Sequence, residues 1–138
     1  MPLDFHKRFN STAAFHPAAG TAATADGVVI DTAGFGAVEF VISYGVWTTT
    51  GATFVPVVME STATGSGFTS AAAGDLLGTE AAAGIAGAAT VNTNVSKRVG
   101  YRGSKRYCRL SLVMNTATGF VSASAIRGFL RKSPPAAS

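Results

Sequence analysis

Val99-Gly100-Tyr101-Arg102-Gly103-Ser104-Lys105-Arg106-Tyr107 is the stretch of this chain whose residue types could do chemistry on a partner. Basic and aromatic side chains interleave there around a Gly-Ser turn. Such cations can neutralise phosphates while the rings stack on bases. The same charges can equally meet carboxylates on an acidic protein surface. Arg102, Lys105 and Arg106 are the candidate partner-binding cations. No signature of a nucleic-acid-binding fold accompanies them, and the strands they sit on have an apolar opposite face. Nucleic acid is therefore not the expected partner.

Groups suited to turnover are thinly spread. Glu39, Glu60, Asp75 and Glu80 have no histidine or second acid at a telling spacing, whereas glycoside hydrolysis needs two carboxylates flanking one bond. His6 and His16 with the single Cys108 do not make a metal-ligand pattern. Gly103-Ser104-Lys105 looks like the end of a phosphate loop but lacks the upstream glycine and the following helix. No G-x-S-x-G elbow is present. The expectation is a protein that is not an enzyme and needs no cofactor or metal. Cys108 alternates with Leu110, Leu112 and Met114 on one strand face, which predicts a buried cysteine acting as a small hydrophobe. A lone cysteine allows no intrachain disulfide and favours assembly in a reducing compartment.

The charge is unevenly distributed. Residues 1–96 carry two bases against seven acids, a balance of −5, and residues 97–138 carry nine bases and no acid, a balance of +9. Such a split bears on partners more than on fold. Two such regions could meet head to tail between copies, or the basic one could meet an acidic surface. Only 13% of residues are charged, about half the usual share of roughly 25%. That suits a protein packed against neighbours.

The elements that must position these residues read as strands. With 138 residues, 16 glycines and many Thr and Ser, the chain predicts one domain of short strands joined by turns. Strands are expected at 28–31, 37–46, 53–60, 95–101, 105–114 and 121–132. Val38, Phe40, Ile42 and Tyr44 share one face, as do Leu110 and Leu112. In 53–60, Val55, Val57 and Met59 are expected inward with Phe54 and Val58 opposite, and Pro56 argues for an edge or a bulge. The segment 101–107 reads as a hairpin turning at Gly103-Ser104. Residues 81–89, nearly all Ala and Gly, read as a loop or flat contact segment because two interior glycines oppose helix.

The fold expected is a single antiparallel β-sandwich, jelly-roll-like, over 27–132, with a tail at 133–138. Residues 1–26 read as an extended N-terminal arm. Phe5, Phe9 and Phe15 stand in it without a sustained period, available to dock on a neighbour or to fold back. The N-terminal stretch has no apolar run fit for a signal peptide. The window 40–59 is punctuated by Gly45, Gly51 and Pro56, so no membrane span is expected.

The segment from Val99, VGYRGSKRYCRL, resembles the "vGYxGxKRYvRv" signature of a family of small tailed-phage virion proteins encoded among head genes. Looser similarity covers Phe35-Gly-Ala-Val-Glu-Phe-Val-Ile, Val57-Val-Met-Glu-Ser and Asp75-Leu-Leu-Gly, so that residues 28–132 are spanned. The chain departs from the pattern at Cys108, where a β-branched residue is usual, and in its alanine-rich segment. The resemblance implies a virion structural protein.

Together these features predict a capsid decoration (cement) protein that binds the major capsid protein on the outer head surface. It would assemble in the host cytoplasm, with a homotrimer as the expected state. Two alternatives stand beside it: a head–tail junction or tail protein, and a carbohydrate-binding adhesion module using Trp47 with Tyr44 as a stacking surface.

Overall fold

The computed structural model describes residues 9–19, 23–46, 51–86, 94–115 and 119–130. Two antiparallel sheets pack face to face as a β-sandwich. The first has the order β1-β11-β4-β9-β7, formed by Asn10–Ala19, Phe120–Leu130, Phe35–Tyr44, Val95–Tyr101 and Leu76–Leu77. The second has the order β2-β10-β5-β6, formed by Thr24–Asp26, Tyr107–Met114, Thr53–Ser61 and Thr69–Ser70. Two short strands complete it: β3 (Ile30–Asp31) pairs with β10, and β8 (Ile85–Ala86) pairs with β5.

Period-two alternation turns one face of each long strand inward. From β4 come Val38, Phe40, Ile42 and Tyr44, and from β10 come Cys108, Leu110, Leu112 and Met114, all buried in one core. Both sets match the faces read from the sequence. The β5 face does not. Phe54 and Val58 are fully buried and Val55 is 42% exposed, so the expected phase of this strand is inverted. The cause is visible in Thr-Phe-Val-Pro-Val-Val-Met-Glu-Ser: both faces are apolar, and alternation alone cannot say which one the other sheet covers.

Pro56 sits where the outer side of β5 carries no strand, between β8 at Thr53–Phe54 and β6 at Met59–Glu60. Two residues on, the Val58 amide faces that side and donates to Glu80 Oε1 at 2.7 Å. Pro56 therefore presents its donorless nitrogen to a local edge, the place a strand proline is tolerated.

Three further expectations are corrected. First, residues 1–26 are not wholly an extended arm. Asn10–Ala19 pairs with β11 from Arg127 to Phe120, and Thr24–Asp26 pairs with β10. Shifts in register around Phe15 let β1 accommodate Pro17 while burying both Ala14 and Phe15. Second, the alanine-rich run begins with a short helix, α1 (Glu80–Ala83), whose Thr79 N-cap accepts from the Ala82 amide at 3.1 Å. Third, 101–107 is not a hairpin. β9 lies in the first sheet and β10 in the second, so the segment crosses between sheets at one end of the sandwich.

Gly27 ties the sheets together. Its amide donates to Leu110 O at 2.8 Å, and the next amide, Val28, donates to Ala14 O at 2.8 Å. A Cβ at Gly27 would stand 2.6 Å from the Leu110 carbonyl and closer still to that of Ala14. Only glycine fits.

Candidate partner-binding surface

The crossover from β9 to β10 is clamped by its backbone. The Arg102 amide donates to Asp75 O at 2.8 Å, and the Lys105 amide donates to the Tyr101 hydroxyl at 3.2 Å. That hydroxyl in turn donates to Glu60 Oε2 at 2.6 Å. Thr32 completes the clamp: its amide and its Oγ1 both donate to Arg106 O, at 2.8 and 2.7 Å. Gly103 is required because a Cβ there would lie 2.5 Å from the Tyr101 ring. Burial, and then the bond to Glu60, raise the Tyr101 hydroxyl pKa above its ordinary range.

The aromatic half of the basic stretch is thereby spent. Tyr101 is 1% exposed, and the Arg106 guanidinium lies over the Tyr107 ring at 5.2 Å from its centroid. Tyr101 offers no stacking face to a base, and Arg106 occupies one face of the half-buried Tyr107 ring.

Much of the cationic half is also partnered within the chain. Arg106 bonds Asp31 through Nε and Nη2 at 3.1 and 3.0 Å. Arg109 Nη2 stands 3.0 Å from Asp26 Oδ2, with its guanidinium over the Phe68 ring. Arg98 Nε is 3.7 Å from Glu39 Oε1. Arg127 donates to Asp31 O at 3.1 Å and to Asn10 Oδ1 at 2.6 Å, and lies over Phe35. Lys97 Nζ donates to Gly84 O at 2.6 Å. Arg98, Arg106 and Arg109 of the basic C-terminal part thus pair with acids of the N-terminal part, so the charge split along the chain is annulled in part in space.

Arg102 and Lys105 differ. Both are exposed, and among the described residues the Arg102 side chain makes only a 3.3 Å bond from Nη2 to Gly74 O. With Arg106 they line a groove of about 210 Å³ between the Thr32–Gly36 turn and the crossover. The structure thus brings together the three cations the sequence singled out.

It does not bring Phe9 and Phe15 together. Phe15 is a core residue, and the Phe9 ring lies against Gly128, where a Cβ would meet it at 2.8 Å. Phe5 lies outside the described residues. Of the pair read as a glycan-stacking surface, Tyr44 is not available. Tyr44 is buried edge-on against Phe54 at 5.8 Å, with its hydroxyl donating to Ala83 O at 2.8 Å, while Trp47 lies outside the described residues.

One surface was missed by the sequence reading. On the outer face of the second sheet, Val55 pairs directly with Val113 and Val57 with Ser111. Val55 and Val113 are each 42% exposed, and Met59 is half-buried on the same face. The signal is the doubly apolar β5 sequence, whose Val55, Val57 and Met59 face alternation alone assigns to the core. Among the described residues no helix is long and apolar enough to cross a membrane. No protein-family model matches the chain, and no curated protein matches it.

Proposed function

We propose that the chain is a capsid decoration protein that binds the outer surface of a phage head and stabilises the lattice of the major capsid protein. Its mechanism is burial and bridging, without turnover. The observation that carries this reading is the outer valine face of β5 and β10. An antiparallel sandwich normally presents polar side chains outside its sheets. Here the two central strands of one sheet carry Val55, Val57, Met59 and Val113 outward beside Ser111 and Arg109, and the Val55–Val113 pair is exposed. Exposed apolar groups gathered on a rigid face mark a contact surface rather than a solvated one. The low overall charge supports close approach to a partner, because few ions need to be desolvated. The similarity of residues 99–110 to the phage virion signature supplies the kind of partner.

As a decoration protein the chain acts as a homotrimer, since closed symmetric assemblies suit the symmetry axes of a head. The test is co-sedimentation of the purified chain with empty heads of the major capsid protein encoded alongside it, with light scattering for its own mass. Saturable binding that raises the melting temperature of the heads is expected, and Val55→Ser with Val113→Ser should abolish it while the fold survives. A folded wild-type chain that leaves heads bare at every concentration would refute the proposal.

A further inference from the structure

We infer that the groove between the β3–β4 turn and the β9–β10 crossover is a preformed site for an acidic, extended peptide segment of a partner protein. The inference deepens the decoration reading by naming the chemistry that its partner would present.

Charge comes first. Arg102, Lys105 and Arg106 line the groove and no acidic side chain does. Asp31 answers Arg106 from beside it, through two bonds. Arg102 and Lys105 have no carboxylate partner in any ion pair among the described residues. The groove therefore keeps two cations whose charge the fold does not answer, in a molecule that pairs Arg98, Arg106 and Arg109 with acids.

Rigidity comes second. Both walls are fixed before any ligand arrives. The turn is closed by Phe35 donating to Thr32 O at 3.0 Å and by Ala33 donating to Asp31 Oδ1 at 2.9 Å. The crossover is held at Arg102, Lys105 and Arg106, and Thr32 joins the two walls. A site built this way loses little conformational freedom on binding beyond that of two side chains.

Shape selects the ligand. Gly34, Gly36 and Gly103 lie in the walls, with open space where a side chain at Gly34 would stand, so that a main chain can approach there while its carboxylates reach Arg102 and Lys105. Nucleic acid is a poorer fit. Single-strand binding combines a cationic track with stacking rings, and here Tyr101 is buried and Tyr107, with Arg106 over one face, does not line the groove.

The test uses the full chain, isotope-labelled, with three probes: a ten-residue glutamate-rich peptide, its all-glutamine counterpart and a single-stranded oligonucleotide. At low salt the glutamate peptide should shift the amide signals of Gly34, Gly36, Gly103 and Ser104, and the glutamine peptide should not. Arg102→Gln with Lys105→Gln should weaken binding about tenfold, the scale of two exposed ion pairs. Arg98→Gln, outside the groove, should leave it unchanged. No groove shifts with the glutamate peptide, equal binding of the glutamine peptide, or tighter binding of the oligonucleotide each overturns the inference. Head binding separates the two ideas. If the double variant decorates heads as well as wild type, the groove fails and decoration stands. If wild type binds the peptide but not heads, the groove stands and decoration fails.

Discussion

Asp31 and Arg106 stand 75 residues apart in the chain and meet in a two-point ion pair, Nε to Oδ1 at 3.1 Å and Nη2 to Oδ2 at 3.0 Å. The pair joins the short β3 edge to the start of β10 and sets one wall of the cationic groove. It also removes Arg106 from the charge left for a partner. A second pair on the same strand is single-pointed: Asp26 on β2 meets Arg109 Nη2 at 3.0 Å and accepts from Ser111 Oγ at 2.5 Å.

The pair makes a prediction in acid. Its hydrogen bonds with Arg106 hold the Asp31 carboxyl below its usual pKa. A folded pKa below the unfolded one contributes stability that is present above the unfolded value and lost as pH falls through the folded one. Carboxyl titration by NMR should place Asp31 below the ordinary Asp range. Asp31→Asn should lower the melting temperature at neutral pH, and the difference from wild type should shrink below the ordinary carboxylate range. A constant difference across that range would contradict the linkage.

Two glycines should rank by what surrounds them. At Gly100 a Cβ would stand 2.8 Å from Leu77 Cβ and 2.5 Å from Glu39 Oε2, an end that can swing away. Gly100→Ala should displace the short β7 at a cost of about 1–3 kcal/mol. At Gly27 the obstacles are two backbone carbonyls in different sheets, neither of which can move alone. Gly27→Ala should be the more destabilising by denaturant melts. The reverse order would mean that the sheets are not tied at Gly27.

The core phase is open to direct measurement. Leu112 is fully buried, and Leu112→Ala should cost about 2–5 kcal/mol. Its neighbour Val113 faces outward, so Val113→Ala should stay within about 0.5 kcal/mol, as surface changes do. On β5, Val58→Ala should be costly and Val55→Ala nearly neutral. A larger cost at Val55 than at Val58 would restore the phase expected from the sequence.

Cys108 should behave as a core residue. Burial pushes its thiol pKa up to about 12, so almost no thiolate exists at neutral pH. A maleimide should label the native chain no faster than it opens, and fully once it is unfolded. Rapid labelling under native conditions would place Cys108 near the surface.

Most of the fold was legible in the chain because strand alternation is a local signal. Val38 to Tyr44 and Cys108 to Met114 announce their inward faces by residue type alone, and the punctuation at Gly34, Gly51 and Gly119 falls at turns with positive φ. The sequence by itself also identified Arg102, Lys105 and Arg106 as a group. What it could not determine is which strand lies beside which. From β4 onward the long strands alternate between sheets, so a hairpin and a crossover have the same local pattern at 101–107. That choice decided that Tyr101 is a buried clamp and not a stacking ring, and that the acids of β2 and β3 meet the bases of β10. It also decided which apolar face of β5 was left outside, because burial depends on the opposing sheet and not on the strand alone.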